Sequence, residues 1–133
     1  MSVPHLPHQR IPRSRNRLES FRHAFAGWAY MLRTQRNAWV HAVASIAVIA
    51  VGLWLGLNAL EWALIILAIG IVWMAEFINT ALEAVVDLAS PEIHPLARVG
   101  KDVAAAAVLA GAGTAAVIGL LVLGPRLMER LWR

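Results

Sequence analysis

Polar and apolar residues are sorted along this chain in long blocks. From Ala38 to Leu57 it reads AWVHAVASIAVIAVGLWLGL, with His41 and Ser45 as the polar interruptions. A twenty-residue helix covers ~30 Å, the hydrocarbon thickness of a bilayer. Trp39 and Trp54 stand near its two ends, where an aromatic belt would lie. Gly52 and Gly56 form G-x-x-x-G, a spacing that permits close helix contact. A short turn at Asn58–Glu61 follows. A second apolar run, WALIILAIGIVWMA, then reaches Glu76, and nothing breaks the helical pattern before Ser90-Pro91. The second span is therefore expected over about 60–89. Pro91 and Pro95 mark a loop over 90–100. Lys101 and Asp102 open a third span, 101–123, in which Ala107, Gly111, Ala115 and Gly119 recur every fourth residue and let another helix approach closely.

The segment before the first span has a different pattern. Leu18, Phe21, Phe25, Trp28 and Leu32 recur at three and four, one apolar stripe, with Arg22, His23 and Arg33 off it. This predicts a helix over about 18–34. Its basic and aromatic faces suit the plane of a membrane interface; the alternative is an ordinary amphipathic helix packed on the bundle. Residues 1–17 carry Pro4, Pro7 and Pro12 among arginines and are expected to be a flexible basic tail, with no secretory signal. The expected fold is thus an all-α membrane protein: three transmembrane helices and an N-terminal amphipathic surface helix, one domain over 18–133. Three spans expose too much helix surface for a large private core, so a homo-oligomer is expected.

Composition sharpens this picture. The chain is 59% hydrophobic, with mean hydropathy +0.62, above the apolar share of a soluble domain. It has no cysteine, which excludes disulfides and thiolate metal sites. Seven of its eleven arginines lie between Arg10 and Arg36. Beside a hydrophobic span such a cluster marks the cytoplasmic side rather than a nucleic-acid partner. The N-terminus and the 90–102 loop are then cytoplasmic and the C-terminus lies outside. Arg126, Arg130 and Arg133 run against that rule.

The candidate chemistry lies at the inner edge. Five of the eight acidic residues, Glu76, Glu83, Asp87, Glu92 and Asp102, fall between positions 76 and 102. Acidic groups at membrane depth are costly and tend to be functional. Glu76, Asn79, Glu83 and Asp87 are spaced three, four and four; at 100° per residue they point within roughly 80° of one another. Lys101 and Asp102 reach the same depth from the third span, and Gln35 and Arg36 from the start of the first. Carboxylates so spaced bind a divalent cation through oxygen, and Mg²⁺ so held bridges nucleotide phosphates. A lysine offsets charge on a transferred phosphoryl group. A second carboxylate, poorly hydrated, acts as a base toward an alcohol. There is no P-loop and no kinase glycine loop. Two plainer readings remain open: polar groups that satisfy one another at a helix end, and an ion or proton pathway. Little polar continues into the outer half of the spans, and a lone histidine such as His41 is more often packed than a ligand.

The runs E-F-I-N-T-A-L-E-A-V-V-D, H-P-L-A and K-D-V-A-A-A-A-V-L resemble the prokaryotic diacylglycerol kinase and undecaprenol kinase family over about residues 18–123. The resemblance implies a small integral enzyme of the bacterial cytoplasmic membrane. It implies a homotrimer whose active sites are shared between subunits and face the cytoplasm, transferring the γ-phosphoryl group of MgATP to a lipid alcohol. Carried over by position, Glu76 is the catalytic base, Glu83 a metal-binding carboxylate and Asn79 the polar residue between them. Lys101 and Asp102 contact nucleotide, with Lys101 on the phosphates. Asp87 closes the motif and joins the nucleotide contacts. Glu92, Ile93 and His94 match the loop that closes on the nucleotide, and His23 and Gly27 lie on the matching surface helix. One position departs. Where the family has a second metal-binding Glu before the first span, this chain has Gln35, followed by Arg36 and Asn37. Gln offers a carbonyl oxygen but no charge, so weaker metal affinity or a rebuilt ligand set is expected. The P-E-I-H-P-L-A loop looks more like the undecaprenol kinase branch, with diacylglycerol the second acceptor. A non-catalytic nucleotide-binding scaffold and a small ion-coupled transporter are the rival functions.

Overall fold

A computed structural model describes residues 16–90, 92 and 94–132. Most of the expected basic tail lies outside these residues. The described residues form four helices: α1 (Arg17–Thr34), α2 (Arg36–Leu55), α3 (Ala59–Ala89) and α4 (Pro95–Leu131). No strand occurs among them. Three of the helices, α2, α3 and α4, are long and apolar enough to cross a membrane.

The chain divides into two compact units, the first ending at Tyr30 and the second beginning at Met31. In the first, α1 carries its apolar stripe exposed, at Leu18, Phe21, Phe25 and Trp28. In the second, α3 packs chiefly along α4, and α2 contacts both.

The α2–α3 connection is built from local chemistry. Gly56 ends α2 at φ 70°, and its N–H bonds to the Gly52 carbonyl at 3.1 Å. This left-handed terminus suits glycine. Gly52 serves a different need: a Cβ there would lie 2.9 Å from the Trp62 ring of α3. The G-x-x-x-G pair is thus one close approach and one turn, not a two-glycine contact face. Asn58 then caps α3. Its side-chain oxygen accepts from the Glu61 N–H at 3.0 Å, and Glu61 accepts from the Asn58 N–H at 2.8 Å. This is a reciprocal capping box.

The start of α4 departs from expectation. Pro95 opens the helix instead of interrupting it, because the first helical position needs no N–H. His94 is the N-cap, its Nδ1 accepting from the Leu96 N–H at 3.2 Å. The helix also continues through Pro125 to Leu131, past the expected end at 123. Its 37 residues make roughly 55 Å of helix, well over a bilayer's ~30 Å core, so its ends extend beyond the apolar slab. Within the small-residue stripe, a Cβ on Gly111 would meet Ile71 and Ala75 of α3 at 3.6 and 3.7 Å, whereas one on Gly119 would meet nothing within 4 Å.

The apolar core gathers near the α2–α3 turn, around Leu55, Leu57, Ile65 and Val122. Elsewhere large apolar side chains face outward, such as Leu109 at 75% and Leu120 at 73% exposure. At this same end, Arg126 donates from Nε to one Glu61 oxygen at 2.8 Å and from Nη2 to the other at 3.0 Å. Arg130 stacks 5.2 Å from the centroid of the Trp54 ring. Two of the arginines that conflict with the charge rule are therefore held by partners within the chain; Arg133 lies outside the described residues.

Glu61→Gln retains the capping box, since Gln serves at that position, but leaves Arg126 without its counter-charge. The expected result is a lower thermal midpoint in detergent. Arg126→Gln added to it recovers part of the loss, because the paired charges fall together. Additive losses in the double variant would show that the pair is not coupled.

Candidate active site

Gln35 is where the site begins. As the residue before α2 it has extended backbone, φ −104° and ψ 114°, so its side chain is free of the helix and turns to α3. Its Nε2 donates to Glu83 Oε2 at 3.2 Å. Asn79, one turn back along α3, donates from Nδ2 to Glu83 Oε1, also at 3.2 Å. Each oxygen of the Glu83 carboxylate thus holds one neutral amide N–H.

Burial increases along the expected polar stripe. Asp87 is exposed, Glu83 partly buried, Asn79 buried, and Glu76 only 1% exposed. From α2, His41 Nε2 stands 3.6 Å from Glu76 Oε1. Among the described residues that carboxylate oxygen has no hydrogen-bond partner, nor have the buried Asn79 Oδ1 and Thr80 Oγ1. A buried polar atom left unpaired costs about 1–3 kcal/mol. Three within five residues of one helix, Glu76 to Thr80, are more than ordinary packing leaves unpaired. Further along, Trp73 donates from Nε1 to Ser45 Oγ at 3.2 Å, and beyond it the packing is apolar.

Lys101 of α4 is ion-paired with Asp87. Its neighbour Asp102 turns away from that pair and lies 3.9 Å from Arg98 on an exposed surface. Glu92 is exposed, its backbone carbonyl accepting from the Ser90 hydroxyl at 3.0 Å. His94 is occupied as the α4 cap. Ile93 lies outside the described residues. His23 and Gly27 are exposed on α1, in the other unit. The structure therefore brings Gln35, Asn79 and Glu83 into contact, sets Glu76 one turn deeper, and pairs Lys101 with Asp87 at the outer edge.

His41, Ser45 and Thr80 are the residues that sequence reasoning passed over. Nothing local to α2 signalled His41, because its partner Glu76 lies on a different helix.

Among the described residues no three His, Asp or Glu side chains gather as a metal cage. A magnesium ion does not require one. It keeps several waters and binds through one or two carboxylates together with substrate phosphates. Glu83, with the amide oxygens of Gln35 and Asn79 beside it, has the chemistry to hold such an ion.

An apolar groove of about 250 Å³ lies between α3 and α4 at this level, lined by Ile71, Met74, Ile78, Leu82 and Ala104, with Asn79 as its polar member. Asn79 thus touches both the groove and Glu83.

Comparison with known proteins identifies relatives of this arrangement. The family model described as prokaryotic diacylglycerol kinase matches residues 22–123. The undecaprenol kinase of Bacillus subtilis is 43% identical over 109 residues, 82% of this chain and 89% of that protein. The diacylglycerol kinase of Synechocystis sp. is 43% identical over 115 residues, 86% of this chain and 66% of that protein. The diacylglycerol kinase of Escherichia coli (strain K12) is 31% identical over 101 residues, 71% of this chain and 83% of that protein.

Proposed function

The chain belongs to the prokaryotic diacylglycerol kinase family, and from that premise we propose that it phosphorylates undecaprenol from MgATP with Glu76 as the base. That it is a membrane lipid kinase using ATP follows from the family; the acceptor, the ion and the residue roles are our reading. The observation that carries it is the position of Asn79, at once the polar end of an apolar groove and a donor to Glu83. A lipid chain in that groove would bring its hydroxyl to the depth where the Glu76 carboxylate is buried.

In this reading Glu76 takes the hydroxyl proton as the lipid oxygen attacks the γ-phosphorus. The bond from phosphorus to the ADP oxygen breaks, and ADP leaves. Glu83, with Gln35 and Asn79, would hold the ion. Mg²⁺, when bound, offsets the negative charge of the phosphates. Lys101 moves from Asp87 to the phosphates, and Asp102, Asp87 and the Glu92–His94 loop contact the nucleotide. For His23, Gly27, Glu92, Ile93 and His94 the support is the family resemblance alone.

The same resemblance supports a homotrimer with shared sites, and the outward-facing leucines supply apolar surface for it. It also supports a cytoplasmic site. The arginine-rich end of the chain favours that orientation, and the partners of Arg126 and Arg130 weaken the counter-argument. The proline-bearing loop before α4 favours undecaprenol over diacylglycerol.

The test is transfer of labelled γ-phosphate from MgATP to undecaprenol and to diacylglycerol, in parallel, by purified protein in mixed micelles. Labelled undecaprenyl phosphate as the main product is expected. A larger yield of phosphatidic acid would reverse the choice of acceptor. Nucleotide binding without product from folded protein would favour the scaffold.

A further inference from the structure

Among the described residues, polar contacts link α2 and its N-cap to α3 at Gln35–Glu83, His41–Glu76 and Ser45–Trp73. Ten residues forward along α2 match ten residues back along α3, so these are successive rungs of one antiparallel register. The first and third rungs are formed hydrogen bonds at 3.2 Å. The middle rung is not. His41 Nε2 stands 3.6 Å from Glu76 Oε1, roughly half an ångström beyond a hydrogen bond. Two closed rungs hold the register on either side of an open one.

Among the described residues no other side chain serves Glu76 Oε1. The stretch of α4 from Ala104 to Gly111 has only apolar side chains and glycine. On α3, Asn79 Nδ2 is already donated to Glu83, Glu83 repels a second carboxylate, and Thr80 Oγ1 has no partner. The His41 ring is itself withdrawn from solvent, its side chain 16% exposed.

Resting on the reading of Glu76 as the base, we propose that His41 is a positioning residue: its Nε2, 3.6 Å from Glu76 Oε1 in this structure, closes on that oxygen during the reaction so that the carboxylate faces the lipid hydroxyl. A carboxylate free to rotate about its last bond presents a lone pair to that hydroxyl only part of the time. A donor on one oxygen fixes the plane of the group and leaves the other oxygen to accept the proton. The proton from the lipid passes to Glu76, and His41 keeps its own.

The test uses two amides that place an N–H at different depths. Gln extends about as far as imidazole Nε2, and Asn only about as far as Nδ1. Both are neutral and polar, so differences in folding are small and are checked by the thermal midpoint of each variant. His41→Gln is expected to keep kcat within about fivefold, whereas His41→Asn loses about 30- to 100-fold, the scale of a misplacement near 1 Å. The KM for MgATP is expected to stay within about twofold in both, since the groups on Glu83 are untouched. Ser45→Ala removes another rung of the same ladder and is expected to leave kcat unchanged. Equal kcat in the Gln and Asn variants would overturn the role. So would a loss in Ser45→Ala as large as that in His41→Asn, which would make the effect one of helix packing. Glu76→Gln, assayed alongside, separates the two levels: full activity there removes Glu76 as the base, whereas inactivity with indistinguishable His41 variants removes only the positioning role.

Discussion

Glu76→Gln lowers kcat by about 10²–10⁴, the usual contribution of a positioned acid or base, while the protein stays at least as stable as the parent. The two halves of this expectation have separate causes. The substitution keeps the size and shape of a side chain that is 1% exposed, so its packing is retained. It removes a charge that is buried and has an oxygen without a hydrogen-bond partner among the described residues, with His41 Nε2 3.6 Å away. Burying a neutral amide costs less than burying a carboxylate, so the thermal midpoint is expected to hold or rise. The reaction loses its proton acceptor, because an amide does not take a proton from an alcohol. MgATP binding is expected to stay near the parent value, since the amides on Glu83 and the Lys101–Asp87 pair are untouched. Activity falling together with stability would point to a packing residue. Activity within about threefold of the parent, well short of a base's contribution, would take Glu76 out of the chemistry.

The pattern of apolar blocks located the spans because bilayer thickness imposes a length that a folded soluble core does not. The polar stripe on α3 was legible for a similar reason: on one helix, spacing alone decides which side chains share a face. What escaped the sequence depended on two helices at once. His41 looked like a packed histidine because nothing on α2 shows that Glu76 lies opposite. Arg126 and Arg130 looked like violations of a charge rule because their partners, Glu61 and Trp54, are on α3 and α2. Pro95 read as a breaker, although the same ring is favourable one step after a capping residue. Gly52 and Gly56 looked like a pair, yet a tertiary contact with Trp62 explains the first and a backbone dihedral the second.

Gln35→Glu is expected to make both stability and activity depend more steeply on magnesium. The parent Gln35 reaches Glu83 Oε2 with an amide N–H at 3.2 Å. A glutamate in its place brings a second carboxylate to that distance with no proton between the two. Like charges so close repel. Without a divalent cation the variant is therefore expected to melt below the parent, and in EDTA the gap is widest. A cation between the carboxylates reverses the sign, because both are good oxygen ligands for Mg²⁺. Titrating MgCl₂ is then expected to raise the midpoint of Gln35→Glu more than that of the parent. The half-saturating Mg²⁺ concentration for turnover is expected to fall roughly tenfold, within the range over which groups around a metal alter its affinity. Glu83→Gln is the complementary change. It keeps both helices in register through amide contacts but leaves no carboxylate at the ion, so turnover is expected to fail at any magnesium concentration. The midpoint measurement does not need an active enzyme, so it reports on the ion even if the acceptor lipid is misassigned. Equal magnesium responses in the parent and Gln35→Glu, in melting as well as turnover, would place the ion away from Gln35 and Glu83.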